Sequence, residues 1–316
     1  MSFVIASQLE PAINDVIAGH ASRPQVIAAP DNEPWSIAPD ADVLIIRPTP
    51  AWRNAPRDAA PPGWPGRLRW VFSCSVGVDF YPDWLLEGPL VSCARGTASE
   101  EIADYVIAAI YARAKDIGGA AVHSPQDWRY RELGRVVGST IGVIGLGAIG
   151  TAVARRAAAL GARVLAVRRS RSGMVGVIGV EMKDSVADVV READHIVIAV
   201  PATAETRHLF DTTLFAKVKR GAHLINVARG SVVDQDALLA ALDSGALSFA
   251  TLDVTEPEPL PEGHPFYTHP AVLVTPHISA NYIVARGKLV EKILSELSRF
   301  AYGEQPADLV DRLRGY

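Results

Sequence analysis

Apolar residues recur along this chain in two rhythms. Short runs rich in β-branched residues, bounded by Pro, Gly or Asp, alternate with longer stretches whose apolar positions fall at three- and four-residue spacing. Val4-Ile5 and Val26 to Ala29 read as strands around a helical Pro11 to Ala18, and Asp42 to Arg47, Trp70 to Cys74 and Leu90 to Cys93 as further strands. Between them, Pro48 to Pro65 carries six prolines and two tryptophans. That composition predicts neither regular helix nor central strand, and its length predicts a functional loop.

From Ser99 the rhythm turns helical through Ile102, Ala103, Val106, Ile107 and Ile110, with Ser99 as the expected N-cap and acidic residues in the first turn. Gly118 to Arg135 is irregular and holds Trp128. Then come predicted strands at Thr140 to Ile144, Arg163 to Val167, Val177 to Val180, His195 to Val200, His223 to Val227, Phe249 to Val254 and Val272 to Thr275. Helices at Ser185 to Arg191, Thr213 to Val218 and Gln235 to Ser244 lie between them. A last helix, Val284 to Phe300, is expected to return to the first domain.

Strict strand–helix alternation predicts an α/β protein of two Rossmann-like or flavodoxin-like domains with parallel sheets. The expected division is 1–98 plus 285–316 for a substrate-binding domain and 99–284 for a dinucleotide-binding domain. The two crossing helices then act as hinges, and the active site is expected in the cleft between the domains.

Composition narrows the function without naming it. The chain has 316 residues, 49% hydrophobic and 21% charged, with a net charge of −4. This is ordinary for a globular protein with a sizeable core and leaves no basic footprint for nucleic acid or a membrane surface. Apolar runs such as Ile102 to Ala112 are too short and interrupted to span a bilayer. The N-terminal Met1-Ser2-Phe3-Val4-Ile5 lacks a signal-like pattern, which makes a cytoplasmic protein the expectation. The only two cysteines, Cys74 and Cys93, have no metal-ligand spacing and read as reduced thiols; no metal is expected.

The first chemical signal is Gly145-Leu146-Gly147-Ala148-Ile149-Gly150, set between a β-branched strand and an apolar-periodic helix, with a second strand closing the βαβ unit. Gly145 allows a tight turn, Gly147 lets backbone approach a pyrophosphate, and Gly150 lets the helix pack closely on the strand. The pyrophosphate then meets the unpaired N–H groups and positive end of the helix. This context predicts a dinucleotide site.

Four ordered motifs extend the picture: the Gly-rich segment, Asn226-Val227-Ala228-Arg229-Gly230, Asp253-Val254-Thr255-Glu256-Pro257-Glu258-Pro259 and Thr275-Pro276-His277-Ile278-Ser279. Together they resemble the NAD(P)-dependent D-2-hydroxyacid dehydrogenase family over roughly residues 96–310. Ser75-Val76-Gly77-Val78-Asp79 is similar to the family's substrate loop. The resemblance implies that Arg229 clamps a substrate carboxylate and polarises the adjacent carbonyl. It makes His277 the general acid in reduction, with Glu258 hydrogen-bonded to its imidazole. Val76 and Gly77 are implied as backbone donors to the substrate. Gly145, Gly147, Ala148, Ile149, Val200, Pro201, Thr206, Val227, Ala228 and Asp253 are implied on the cofactor, Asp253 at the nicotinamide carboxamide. Trp128 is similar to a family tryptophan near a dimer interface, with plain core packing as its bland alternative; a homodimer is expected. Glu256 and Glu262 read as solvated, and the seven other histidines as surface or core residues.

One departure bears on the cofactor. NAD-specific enzymes carry an acidic residue after the second strand of the βαβ unit, to bind the ribose 2′-hydroxyl. Here Val167 is followed by Arg168-Arg169-Ser170-Arg171, with no carboxylate before Glu181. Arginines and a hydroxyl suit a 2′-phosphate, so Arg168, Arg169 and Ser170 are expected contacts to NADP(H), with NAD(H) the second choice. That preference points to reduction of glyoxylate or hydroxypyruvate. Size selectivity falls to the loops Arg47 to Trp52 and Cys74 to Asp79. Readings left open are dehydrogenation of another 2-hydroxy acid or of phosphite, phosphoglycerate oxidation, and a nucleotide-sensing corepressor-like protein. Formate dehydrogenase is less similar, having glutamine where Glu258 stands.

Overall fold

Val43, Leu44, Ile45 and Ile46 are all buried, a continuous apolar run that only a strand covered on both faces tolerates. The computed structural model describes residues 3–169, 178–280, 282–311 and 314–315, and it places this run inside a five-stranded parallel sheet. In chain order the first elements are β1 (Val4–Ser7), α1 (Pro11–Ala18), β2 (Gln25–Ala28), β3 (Val43–Ile46), α2 (Pro50–Arg53), β4 (Trp70–Ser73) and β5 (Leu90–Cys93). The strand order is β2-β1-β3-β4-β5, every neighbouring pair parallel. The two-residue pleat sorts the core: Val43, Ile45, Trp70 and Phe72 face one side, Leu44, Ile46 and Val71 the other.

The Pro-rich segment departs from expectation. It contains the single-turn α2, with Pro50 at its first position, where a missing N–H costs nothing. Trp52 on that turn is fully buried, donates its indole N–H to Gln8 Oε1 at 2.8 Å, and packs edge-on against Trp35 and Tyr81. The segment therefore covers one face of the sheet, and burial of its tryptophan is what gives it a fixed shape.

The second set of elements begins with α3 (Ser99–Lys115), β6 (Thr140–Ile144), α4 (Ala148–Ala159), β7 (Arg163–Val167) and β8 (Val180–Met182). It continues with α5 (Val186–Val190), β9 (His195–Ile198), α6 (Thr212–Phe215), β10 (Ala222–Asn226), α7 (Gln235–Asp243), β11 (Leu247–Leu252) and β12 (Val272–Val274). These seven strands form a parallel sheet in the order β12-β11-β10-β9-β6-β7-β8. Strand order reverses between the neighbouring strands β6 and β9, the switch point where open α/β sheets bind ligands at the carboxyl edge. The strand expected from Val177 begins at Val180; Val177 lies outside the described residues.

Ser99 is not the cap of α3. Ala98 holds that position, and Ser99 is already helical and buried. The first turn is met instead by charge: Glu100 pairs at 2.7 Å with both Arg155 and Arg156 of α4. Trp128 is 82% exposed, so it does not pack in this chain's core. The last helix, α8 (Tyr282–Ala301), packs Leu289, Ile293 and Leu297 with Ile13 and Ile17 of α1 on one face of the first sheet. The two compact units are Met1–Thr97 with Tyr282–Tyr316, and Ala98–Asn281. Among the described residues no helix is long and apolar enough to cross a membrane.

Candidate active site

The carboxyl edge of the second sheet gathers most of the expected site residues. After β6 the chain turns at Gly145 with φ +97°, a conformation that side chains avoid. A Cβ on Gly150 would meet Gly145 O at 1.9 Å, so α4 can pack this closely only with glycine there. A Cβ on Gly147 would meet nothing within 4 Å. Gly147 caps α4 with no side-chain bond, so the first N–H groups of the helix, those of Ala148 and Ile149, have no capping side chain. A pyrophosphate fits this cradle.

Val200 and Pro201 follow β9. Thr206 closes the next turn, its hydroxyl donating to Pro201 O at 2.7 Å and accepting from Thr203 N at 2.8 Å. At the end of β7, Arg168 is partly buried, while Arg169 is exposed and pairs with Glu205 at 2.6 Å. Ser170 and Arg171 lie outside the described residues. Glu181, the first acid after β7, is bound at 2.7 Å to both Arg163 and Lys183.

At the end of β10, buried Asn226 shapes the turn that carries Arg229. Its Oδ1 accepts from Ala228 N at 3.0 Å and its Nδ2 donates to Arg229 O at 2.9 Å. Val227 and Ala228 are buried, and the Arg229 guanidinium donates to Ala228 O at 2.8 Å. Gly230 then lies against the next loop: a Cβ there would come within 2.0 Å of Thr255 C. This close approach brings the Arg229 turn onto the 255–258 segment.

His277 Nδ1 donates to Glu258 Oε2 at 3.0 Å. Burial works to raise the Glu258 carboxyl's pKa. The His277 hydrogen bond, the charge of His277, the Thr255 N–H and the charge of Arg229 outweigh it and hold the group below its usual value. His277 itself has φ +54°, a left-handed conformation costing a non-glycine residue about 1–2 kcal/mol. Its N–H donates to Asp253 O and Thr275 O, both at 2.9 Å. Asp253 is 1% exposed and accepts from Thr275 Oγ1, Ile278 N and Ser279 N. Glu256, expected to be merely solvated, pairs with Arg207 at 3.1 Å.

Val76 and Gly77 lie in the loop after β4 of the first unit. Ser75 Oγ donates to Gly77 O at 2.9 Å there, and Val76 is 39% exposed. Sequence reasoning named Asn226 and Thr275 only as motif members, without a role, and did not reach Tyr105, whose hydroxyl lies 2.7 Å from that of Thr275. Asn226 had a usable signal, a polar side chain directly after the apolar pair Leu224-Ile225 at the end of a buried strand.

Residues 107–279 match the D-isomer specific 2-hydroxyacid dehydrogenase, NAD binding domain family. The chain is 35% identical over 264 residues to glyoxylate/hydroxypyruvate reductase A of Serratia proteamaculans, covering 79% of this chain and 82% of that protein. It is 34% identical over 283 residues to glyoxylate reductase of Thermofilum pendens, covering 86% and 82%. Its fold is similar to a D-isomer specific 2-hydroxyacid dehydrogenase from Xanthobacter autotrophicus Py2 in complex with NADPH and MES, with TM-score 0.82, 27% identity and 100% of both chains covered. It is also similar to an NADPH-dependent glyoxylate/hydroxypyruvate reductase from Sinorhizobium meliloti in complex with NADP and sulfate, with TM-score 0.79, 26% identity and 100% of both chains covered.

Proposed function

The chain belongs to the D-isomer specific 2-hydroxyacid dehydrogenase family, and on that premise we propose that it reduces a small 2-keto acid, of the glyoxylate or hydroxypyruvate type, to the D-2-hydroxy acid with NADPH. The observation that carries this reading is the hydrogen bond from His277 Nδ1 to Glu258 Oε2, with the charge of Arg229 acting on the same carboxylate.

The nicotinamide cofactor, when bound, supplies the hydride. Everything else falls to the protein. Arg229 binds the substrate carboxylate and polarises the keto group, with the Val76 and Gly77 amides assigned to the same carboxylate. With Nδ1 committed to Glu258, the imidazole has Nε2 left to deliver a proton to the developing alkoxide. Glu258 stabilises the imidazolium before transfer and keeps the ring oriented. The N-terminus of α4 holds the pyrophosphate, with Val200, Pro201, Thr206, Val227, Ala228 and Asp253 around the rest of the cofactor. Arg168 is assigned to the 2′-phosphate; Arg169, paired with Glu205, is the less available of the two. The neighbours crystallised with NADPH or NADP support the cofactor choice.

The same reading makes the protein a cytoplasmic homodimer. Trp128 and Tyr130, 82% and 92% exposed in the irregular segment after α3, form the apolar surface that a second copy would cover.

The test is steady-state oxidation of NADPH and NADH, side by side, with glyoxylate and hydroxypyruvate as acceptors. Fast turnover preferring NADPH is expected. Turnover preferring NADH would remove the Arg168 assignment, and tight cofactor binding with no turnover would point to a sensor.

A further inference from the structure

Asp253 directly follows β11, and its carboxylate can only accept hydrogen bonds. It takes three: from Thr275 Oγ1 at 2.6 Å, Ile278 N at 2.8 Å and Ser279 N at 2.9 Å. These donors lie on both sides of His277, so one buried anion grips the loop before and after the left-handed residue. Thr275 is the fixed end of that grip. Its N–H donates to Leu252 O and its carbonyl accepts from His277 N, both at 2.9 Å.

The direction of the remaining contact follows from proton counting. Thr275 has one hydroxyl hydrogen and gives it to Asp253. The 2.7 Å contact with Tyr105 is therefore one in which the phenol donates to Thr275. Burial raises the Tyr105 phenol above its ordinary value, so it remains a donor at neutral pH. Tyr105 stands in the second turn of α3 between buried Ile102 and Val106, a rigid place from which to aim one hydroxyl. Without that donor, the Thr275 hydroxyl has a second rotamer open to it, and Asp253 loses one of its three bonds whenever the hydroxyl turns away.

We propose that Tyr105 is a positioning residue for the acid–base histidine: through Thr275 and Asp253 it locks the 275–279 loop and so the aim of His277 at Glu258. The catalytic part of this inference rests on the keto-acid reductase reading. The bland alternative is that Tyr105 only packs α3 against the sheet.

The experiment compares the wild type with Tyr105→Phe, Thr275→Val and the double variant. Three quantities are read: glyoxylate turnover with NADPH, NADPH affinity by fluorescence titration, and amide hydrogen exchange at Ile278 and Ser279. Removing one neutral hydrogen bond predicts about a fivefold loss of kcat in Tyr105→Phe. KM for glyoxylate, NADPH affinity and melting temperature should stay at wild-type values, while exchange at the two amides speeds up. Thr275→Val should lose more, and the double variant no more than Thr275→Val alone, because both changes cut the same chain. Wild-type kcat and exchange in Tyr105→Phe, multiplying losses in the double variant, or a loss confined to NADPH affinity would each overturn the proposal. If the wild type itself reduces no keto acid, the exchange data still decide whether Tyr105 locks the loop, and it is the reductase reading that falls.

Discussion

His277 and Glu258 stand 19 residues apart in the chain, yet the imidazole Nδ1 lies 3.0 Å from the carboxylate Oε2. They meet because β11 and β12 are parallel neighbours, so the loops leaving both strands emerge at the same edge. Glu258→Gln keeps the shape of the side chain and removes the charge that stabilises an imidazolium. We expect kcat to fall by about 10²-fold with cofactor affinity retained. Stopped-flow reduction of glyoxylate decides this, and near-wild-type turnover would remove Glu258 from the mechanism.

Arg229→Ala should abolish most keto-acid use, lowering kcat/KM by roughly 10²–10³-fold, the scale of losing a charged donor aimed at the substrate. NADPH affinity should survive. Calorimetric titration of cofactor beside steady-state kinetics checks both halves, and unchanged kcat/KM sinks the carboxylate assignment.

Arg168→Asp replaces a cation with an anion beside the expected 2′-phosphate. Losing one charge-assisted bond, worth about 1.5–3 kcal/mol, should weaken NADPH by roughly 10–100-fold and leave NADH nearly unaffected. Equal losses for the two cofactors would count against a phosphate contact at this position.

Gly230→Ala forces a Cβ to within 2.0 Å of Thr255 backbone, and backbone cannot step aside cheaply. The Arg229 turn and the Glu258 loop must then separate. We expect a lower melting temperature together with a turnover loss larger than the stability loss explains. A stable, fully active variant would show that the close approach has no part in the site.

Far from this edge, His195 and His223 face each other across β9 and β10, Nδ1 to Nδ1 at 3.3 Å, and His223 Nε2 meets Thr251 Oγ1 at 2.9 Å. Two facing Nδ1 atoms share one hydrogen, so a second proton breaks the contact. Burial pushes His195 down to about 4 and His223 down to about 3. Both folded values lie below the unfolded 6.5, so the unfolded chain takes up protons that the folded one refuses as pH falls from 6.5. Stability should drop by up to about 1.4 kcal/mol per pH unit for each histidine. Urea unfolding at pH 7, 6 and 5 reads this directly. A His195→Asn, His223→Asn variant should show a flatter dependence over that range.

Much of this molecule was legible from local pattern. Strand–helix alternation foretold both parallel sheets, and the Gly-x-Gly-x-x-Gly segment foretold the turn at Gly145 and the bare N-terminus of α4. Such features obey short-range rules, the pleat, the helical repeat and the backbone freedom of glycine, which act between residues close in the chain. The motifs around Arg229, Glu258 and His277 stood out by resemblance to a family, and the structure brings His277 and Glu258 into hydrogen-bond contact.

Tertiary structure decided the rest. Tyr105 and Thr275 are 170 residues apart, and nothing near either one announces the other. Trp52 belongs to a segment whose composition predicts a functional loop, and only the sheet beneath it makes that tryptophan fully buried. Ser99 had the chemistry of a cap, but pairing of Glu100 with two arginines of α4 lets α3 begin without one. Asp253 was expected at the cofactor by resemblance, and its three bonds from Thr275, Ile278 and Ser279 show it holding the histidine loop. A hydrogen bond between distant segments has no period and no composition of its own. It exists only once packing has excluded water and left each donor a single acceptor within reach.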